Sequence, residues 1–151
     1  ERDSQNIAVG KPASGSSVLY DSPDHFPSQA LDGSVVPHKW GIYCYHSGGE
    51  TTPWLTVDLG TDYDIDFVLI FNRHDEFGER LHDVSVTVST VSSFSSYTHC
   101  GYYTGPGHVI QIATILCQRN VNGRYVKVQI LGIPTTDTEY LTICELEIFV
   151  I

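Results

Sequence analysis

The sequence predicts an all-β protein folded as an antiparallel sandwich. Three segments alternate apolar and polar residues with the two-residue period of half-buried strands: WLTVDLG (54–60), DVSVTVS (83–89) and RYVKVQI (124–130). Helical periodicity does not recur in this way, and turn-forming residues separate the segments. Strands at this spacing favour two packed antiparallel sheets.

The elements follow in chain order. The first 50 residues are rich in turn-forming residues, and PSQALDG (27–33) predicts one helical turn that ends at Gly33 and leaves Asp32 available to bond or coordinate. IDFVLIFN (65–72) is continuously apolar, which indicates a strand covered on both faces. LTICELEIFVI (141–151) predicts a last strand. The predicted core faces of the alternating strands are Leu55, Val57 and Leu59; Val84, Val86 and Val88; and Val126, Val128 and Ile130.

Size and charge limit the function. The 151 residues contain no internal repeat, low-complexity tract or linker, so we expect one domain spanning 1–151. The net charge of −10 repels phosphate backbones and anionic lipid surfaces, which argues against nucleic-acid and membrane partners. No stretch approaches the roughly 20 apolar residues of a membrane span. Glu1 begins a polar segment without a signal-peptide pattern, so we expect a mature form of a secreted protein.

The four cysteines predict disulfides. They form no C-x-x-C pair and share no zinc-like spacing with the histidines. The segment GYYTGPG (101–107) suggests a hairpin turn that brings Cys100 to Cys117, which leaves Cys44 to pair with Cys144. Two such bridges indicate an extracellular, oxidising environment.

The segment FNRHDEFGER (71–80) predicts a binding site on the loop that leaves an apolar strand. Asp75 can grip the guanidinium of Arg73 and leave other N–H donors pointing outward, while Glu76 or Glu79 could restrain Arg80 in the same way. A cation neutralised in this way can donate hydrogen bonds to the hydroxyl and ring oxygens of an uncharged sugar. The same residues also fit an ordinary surface ion-pair network, and composition alone favours that interpretation.

A second polar and aromatic segment, KWGIYCYH (39–46), lies near the first cysteine. Trp40 could pack against the apolar face of a sugar, and His46 offers a donor and an acceptor to a hydroxyl. If neutral His46 accepts a sugar proton, binding should weaken on acidification near pH 6.5. Packing beside the disulfide is the plainer explanation of these aromatic residues.

Together, the motifs resemble the F-type lectins, or fucolectins. The similar segments are NIAVGKPASGSS (6–17), ALDG (30–33), PWLTVDLG (53–60), GRYVKV (123–128) and LTICELEIFV (141–150). The family signature is a histidine, 26 residues, Arg-x-Asp, four residues and a basic residue; His46, Arg73, Asp75 and Arg80 satisfy it.

This resemblance implies an eight-stranded antiparallel jelly-roll β-sandwich, related to discoidin and coagulation-factor C-type domains, with ligand-binding loops at one end. It implies that His46, Arg73 and Arg80 bind terminal α-L-fucose, that Asp75 orients the arginines, and that Trp40 contacts the fucose methyl group. Many relatives have two adjacent cysteines where this chain has Glu76 and Phe77. We expect Phe77 to replace that disulfide by stacking on the sugar and Glu76 to face solvent or a neighbouring hydroxyl.

The resemblance also implies a structural calcium ion held by oxygen atoms. The ligands would be side chains of Asp32 and Glu145 and backbone oxygens of four other residues. Those four residues are Gln29, Ser34, Tyr43 and Cys144.

These features predict a secreted, non-catalytic lectin for fucosylated glycans, acting in microbial recognition or agglutination. Any homo-oligomer should be non-covalent, because all four cysteines are expected to pair within the chain. A glycosidase is disfavoured because carboxylates beside arginines have lowered pKa values. The other alternative is a discoidin-like adhesion module for a protein or lipid surface, which the scarcity of basic residues disfavours.

Overall fold

The computed structural model describes residues 5–34, 42–132 and 138–151. Within these ranges the fold contains eight β-strands, four short 3-10 helices and no α-helix, so the predicted all-β class and strand number are confirmed. The strands are β1 (Ala13–Gly15), β2 (Tyr45–His46), β3 (Trp54–Phe71), β4 (Val84–Ser89), β5 (Thr98–Tyr103), β6 (Ile112–Ile130), β7 (Thr142–Ile143) and β8 (Glu145–Val150). The 3-10 helices are Leu19–Asp21, Pro23–His25, Pro27–Leu31 and Gly78–Arg80.

Two long strands, β3 and β6, form the centre of the larger sheet. They pair antiparallel along most of their length, with register shifts between Asp58 and Tyr63 and between Ile65 and Phe67 of β3. The first part of β3 pairs with β1 and its last part with β8, while β4 lies beside the end of β6 and β5 beside β4. Strands β2 and β7 form a separate two-stranded sheet.

The predicted apolar faces form the core. All nine residues of those faces are at most 1% exposed. Strand β4 is more buried than its alternation predicts, because Ser85 and Ser89 are buried as well. The hydroxyl of Ser89 donates to backbone oxygens of the following loop, which compensates for its burial. In the continuous apolar segment of β3, Phe67 is half-buried and stacks on Phe149. The second face of this strand is therefore covered only in part, not fully as predicted.

Both predicted disulfides are present. Cys44 bonds to Cys144 and Cys100 to Cys117. The predicted hairpin between Cys100 and Cys117 is wrong, because β5 pairs with β4 and a longer connection leads to β6. The second disulfide therefore joins strands that are not hydrogen-bonded neighbours.

The turn-rich first third contains the predicted helical turn. It is the 3-10 helix Pro27–Leu31, and Gly33 after it has a φ of 79°, a left-handed conformation that glycine adopts without steric cost. Here Ala30 and Leu31 enter the core. No helix among the described residues is long and apolar enough to cross a membrane.

Candidate functional site

The candidate site lies where the loop after β3 meets the small sheet of β2 and β7. His46 ends β2 and pairs with Thr142 of β7, while Arg73 and Arg80 lie on the loop. The positive charges of both arginines are close enough to affect the pKa of His46. The fold therefore brings together the three residues of the predicted signature, although 26 residues separate His46 from Arg73 in the chain.

Arg73 and Asp75 form the predicted ion pair. Nε of Arg73 donates to Oδ1 of Asp75 at 2.7 Å, and Nη2 donates to Oδ2 at 2.8 Å. The Arg73 side chain is only 9% exposed, and its Nη1 is buried with no hydrogen-bond partner among the described residues. An unpartnered buried N–H group is unfavourable, so Nη1 is prepared to donate to an oxygen of a ligand.

The charge of Asp75 is stabilised by its neighbours. Partial burial raises the pKa of this carboxyl group, but hydrogen bonds from Arg73 and from the backbone of Glu76, with the charge of Arg73, outweigh burial and hold the pKa below its usual value. Asp75 therefore stays ionised and keeps the guanidinium in one orientation. This fixed orientation distinguishes the site from a mobile surface arginine.

Asn72 fixes the start of the same loop and was not predicted. Its buried side-chain amide donates to the carbonyl oxygens of Gly78 at 2.9 Å and His108 at 3.0 Å, while its Oδ1 accepts from the backbone N–H of Arg73. A buried asparagine directly after an apolar strand is the sequence signal that could have identified it.

His46 is a buried hydrogen-bond acceptor. Its Nδ1 lies 2.7 Å from the carbonyl oxygen of Ser47, which can only accept, so Nδ1 carries the proton and the neutral ring presents Nε2 as an acceptor. Burial lowers the pKa of His46 to about 4, and the charges of Arg73, His25 and Arg80 act in the same direction. The prediction that His46 titrates near pH 6.5 is therefore wrong.

Arg80 is held by aromatic rings rather than carboxylates. Its Cζ lies 4.1 Å from the ring centre of Phe77 and 4.7 Å from that of Tyr140. The expected restraint by Glu76 or Glu79 is not found in the described part of the chain, and Asp75 contacts Arg73 rather than both arginines. Cation–π contacts of this kind orient a guanidinium while leaving its N–H groups available.

Phe77 is 42% exposed and has a φ of 57°. This left-handed conformation is uncommon for an aromatic residue and places the ring over Arg80. Phe77 thus acts on Arg80, whereas direct stacking on a sugar stays a prediction. Glu76 is exposed, as expected. Trp40 lies outside the described residues.

Tyr140 and His25 complete the surroundings of His46 and were not predicted. Their ring centres lie 5.8 Å and 5.4 Å from that of His46. Both residues stand in turn-rich segments without periodicity, so the sequence carried no signal for their contribution.

The six predicted calcium ligands lie in segments that the fold connects. The carboxylate of Glu145, at the start of β8, is fully buried and accepts from the backbone N–H of Gly33 at 2.7 Å. This contact brings Glu145 to the turn that carries Gln29, Asp32 and Ser34. The Cys44–Cys144 disulfide ties the segment of Tyr43 to Cys144, the residue before Glu145.

Chemically, this donor set fits a hard cation. It contains only two carboxylates, Asp32 and Glu145, and the other positions offer backbone oxygens. Among the described residues no group of three or more His, Cys, Asp and Glu side chains suited to a metal is found. A calcium site with mostly backbone ligands does not require such a group.

The fold and the site define a jelly-roll domain that presents fixed polar donors on the loop after β3 and the acceptor of His46 on the short strand β2. The family model for the NedA-like, galactose-binding domain matches residues 29–128. Fucolectin-6 of Anguilla japonica is 32% identical over 146 residues, which cover 95% of this chain and 75% of the relative. The chain belongs to the fucolectin family.

Solved structures agree with this assignment. A fucolectin from the serum of the striped bass, Morone saxatilis, has a TM-score of 0.81 and 27% identity, over 98% of this chain and 49% of that one. The lectin domain of lectinolysin, complexed with Lewis B antigen, has a TM-score of 0.78 and 27% identity, over 97% of both chains. The jelly-roll prediction is therefore confirmed.

Proposed function

We propose that this chain is a non-catalytic lectin that binds terminal α-L-fucose on glycans through His46, Arg73 and Arg80. The observation that carries the proposal is the buried Nη1 of Arg73, which has no partner among the described residues although Asp75 fixes the rest of the guanidinium. The names of the relatives, fucolectins and a lectin domain complexed with Lewis B antigen, support the choice of sugar.

The electrostatics favour an uncharged ligand. Asp75 neutralises Arg73, and among the residues that the structure describes rings rather than an anion contact Arg80. The site therefore offers directed N–H donors from two guanidinium groups and one acceptor, Nε2 of His46. A deoxy-sugar with ring and hydroxyl oxygens matches this arrangement, and its methyl group needs an apolar neighbour.

The lowered pKa of Asp75 supports binding without catalysis. A glycosidase needs a carboxylic acid with a raised pKa to protonate the leaving group. Asp75 has the opposite shift. Release of fucose from a fluorogenic fucoside would contradict this part of the proposal.

The test compares two arginine–carboxylate pairs of the same geometry. Arg124 donates to both carboxylate oxygens of Asp58 at 2.7 and 3.0 Å, but this pair joins β6 to β3 of the large sheet and lies outside the site. Calorimetric titration with methyl α-L-fucoside should show that Arg73→Lys and Asp75→Asn each lower affinity roughly tenfold or more, as expected for lost hydrogen bonds to charged groups.

Arg124→Lys should leave fucoside affinity unchanged. The midpoint of urea unfolding of each variant shows whether the fold is retained. Unchanged affinity in a folded Arg73→Lys variant would exclude the proposed site. Binding of phosphatidylserine vesicles without fucoside binding would favour the adhesion alternative.

We also propose that Asp32 and Glu145 hold a calcium ion with backbone oxygens of Gln29, Ser34, Tyr43 and Cys144. The ion would neutralise the buried carboxylate of Glu145 and join the 3-10 turn to β8. Calcium should raise the melting temperature of chelator-treated protein, and Glu145→Gln should remove most of this increase. An equal increase in both proteins would contradict the assignment.

The cysteines support an extracellular location and a non-covalent oligomer. All four are paired within the chain, so none is free for a bond between chains. Several weak sites on one assembly would raise avidity for microbial or cell-surface glycans. Light scattering during gel filtration, followed by electrophoresis without reductant, would distinguish a non-covalent oligomer from a cross-linked one or a monomer.

A further inference from the structure

The candidate site has two walls that come from different parts of the chain. The loop wall is the segment 73–80, with both arginines. The strand wall carries His46 on β2 and Tyr140 beside β7. Two hydrogen bonds of 2.9 Å between Ser47 and Leu141 hold the two segments of the strand wall together. The contact of Arg80 with Tyr140 depends on how the two walls are held together.

His82, two residues after the end of the loop wall, pairs with the residue that precedes Tyr140 on the strand wall. Its Nε2 lies 2.7 Å from Oε2 of Glu139, the residue before Tyr140, and its Nδ1 lies 2.9 Å from Oδ2 of Asp83. The side chains of His82 and Glu139 are only 26% and 13% exposed. The ion pair is thus two residues from Arg80 on one wall and one residue from Tyr140 on the other.

The geometry requires a protonated ring. Ionised carboxylates only accept hydrogen bonds, so both ring nitrogens of His82 must donate, which makes the ring an imidazolium. Burial lowers the pKa of His82, but the hydrogen bonds and charges of Asp83 and Glu139 outweigh burial and raise it above its ordinary value. Hydrogen bonds from Tyr102 and His82 lower the pKa of Asp83, which keeps this partner ionised.

We propose that protonated His82 is a positioning residue that holds Arg80 against Tyr140, so that fucose affinity depends on the charge of His82. This inference rests on the proposed function for its affinity readout. When His82 loses its proton, at most one ring nitrogen still donates, and the pair with Glu139 or Asp83 is broken. The loop wall then loses a tie to the strand wall, and Arg80 loses its fixed orientation.

The charged and titratable groups around His82 favour this state of the ring. Asp83 and Glu139 contact it directly, and Tyr102 of β5 donates to Oδ1 of Asp83. Glu50 lies behind Glu139, to which its backbone is paired, and its own carboxylate accepts from two serine hydroxyls. Arg80 is the neighbouring cation on the loop wall, and its charge is directed at the rings of Phe77 and Tyr140.

The experiment measures methyl α-L-fucoside affinity from pH 6 to pH 9. His82 loses its proton as the pH rises through its raised pKa. Wild-type affinity should therefore fall from pH 6 to pH 9 by roughly three- to tenfold, as expected for the loss of a partly buried charge-assisted hydrogen bond. His82→Gln and Glu139→Gln should each have the lower affinity already at pH 6, and the double variant should be no weaker than either. His99→Gln, a substitution of an exposed histidine on β5, should behave as wild type.

A second readout does not need the sugar. The NMR signal of the Arg80 Nε–H group is shifted by the rings of Phe77 and Tyr140, and this shift should decrease as His82 titrates and in His82→Gln. If no form of the protein binds the fucoside, the proposed function fails, and the Arg80 signal still decides the present inference. An Arg80 signal that neither follows the titration of His82 nor changes in His82→Gln would overturn it.

Discussion

Two arginine–aspartate pairs in this chain have almost the same geometry but different surroundings. The Nε–Oδ1 distance is 2.7 Å in both Arg73–Asp75 and Arg124–Asp58, whereas the arginine side chains are 9% and 40% exposed. The exposed pair is worth little to stability and leaves its other N–H groups to water. The buried pair leaves Nη1 without a partner among the described residues. Burial, which the motif Arg-x-Asp does not encode, separates a binding site from a surface ion pair.

In the proposed fucose site, the low pKa of His46 should set the acid limit of binding. Because neutral Nε2 is the acceptor and the pKa is about 4, fucoside affinity limited by this residue should change little from pH 6 to pH 5 and fall near pH 4. Calorimetric titration over this range checks the prediction. An acid limb with its midpoint near pH 6.5 would mean that His46 is more accessible to water than its 4% exposure indicates.

Phe77 should contribute to binding through Arg80. Phe77→Ala should lower fucoside affinity severalfold, and the loss should largely disappear when Arg80 is already alanine, because the ring would have no guanidinium to orient. Phe94 is a matched control, since it also has a left-handed φ, 53°, and lies 4.2 Å from the ammonium of Lys127. Phe94→Ala should leave affinity unchanged. Equal losses from Phe77→Ala with and without Arg80 would indicate direct contact with the sugar.

At the scale of elements, the end of β3 is what supports the loop wall. Asn72 is 2% exposed and joins the backbones of two turns, at Gly78 and at His108. Gly78 itself leaves no space for a side chain, since a Cβ atom would overlap the backbone nitrogen of Val109. The loop is thus fixed by close backbone packing as well as by polar contacts.

Asn72→Ala should therefore weaken both folding and binding. The buried carbonyl oxygen of Gly78 and the partly buried one of His108 would lose their donor, which costs about 2–3 kcal/mol of unfolding free energy, and fucoside affinity should fall with the order of the loop. Asn122→Ala removes an exposed side-chain bond to Asp64 and should cost less than about 0.5 kcal/mol. Urea unfolding measures both. Similar costs in the two variants would contradict the role assigned to Asn72.

At the scale of the whole molecule, the two disulfides should differ in their effects. Their sequence separations are 100 and 17 residues. In the chain-entropy model the longer loop contributes about 4.7 kcal/mol and the shorter one about 3 kcal/mol, both upper estimates. Replacing Cys44 and Cys144 by alanine should lower the urea midpoint more than replacing Cys100 and Cys117. Of the two replacements, only that of Cys44 and Cys144 should also weaken fucoside binding, because it frees β2 near His46. A larger effect of the 100–117 bridge would contradict this ranking.

Two histidines give the folded state opposite pH dependences. The pKa of His46 is lowered from 6.5 to about 4, so the unfolded chain binds this proton first and stability falls as the pH decreases from about 6.5 towards 4. The raised pKa of His82 contributes stability that is complete below about 6.5 and is lost as the pH rises through the native value. The two effects together limit the pH range of maximum stability from both sides.

The sequence alone determined the all-β class, the core faces of β3, β4 and β6, and the His46, Arg73 and Arg80 signature. These features depend on local periodicity and on spacings within one chain. Four cysteines permit three pairings, and the pairing found was predicted from a hairpin that the structure does not contain. Strands β2 and β7 have only two residues each, too few for a periodic pattern. Tyr140 and His25 reach His46 from distant turns. Only the tertiary structure decided that Arg73 and His46 are buried, that rings rather than carboxylates contact Arg80 within the described part of the chain, and that burial lowers the pKa of His46 to about 4. Burial and contacts between distant segments produce these properties, because desolvation and charge act through space and not along the chain.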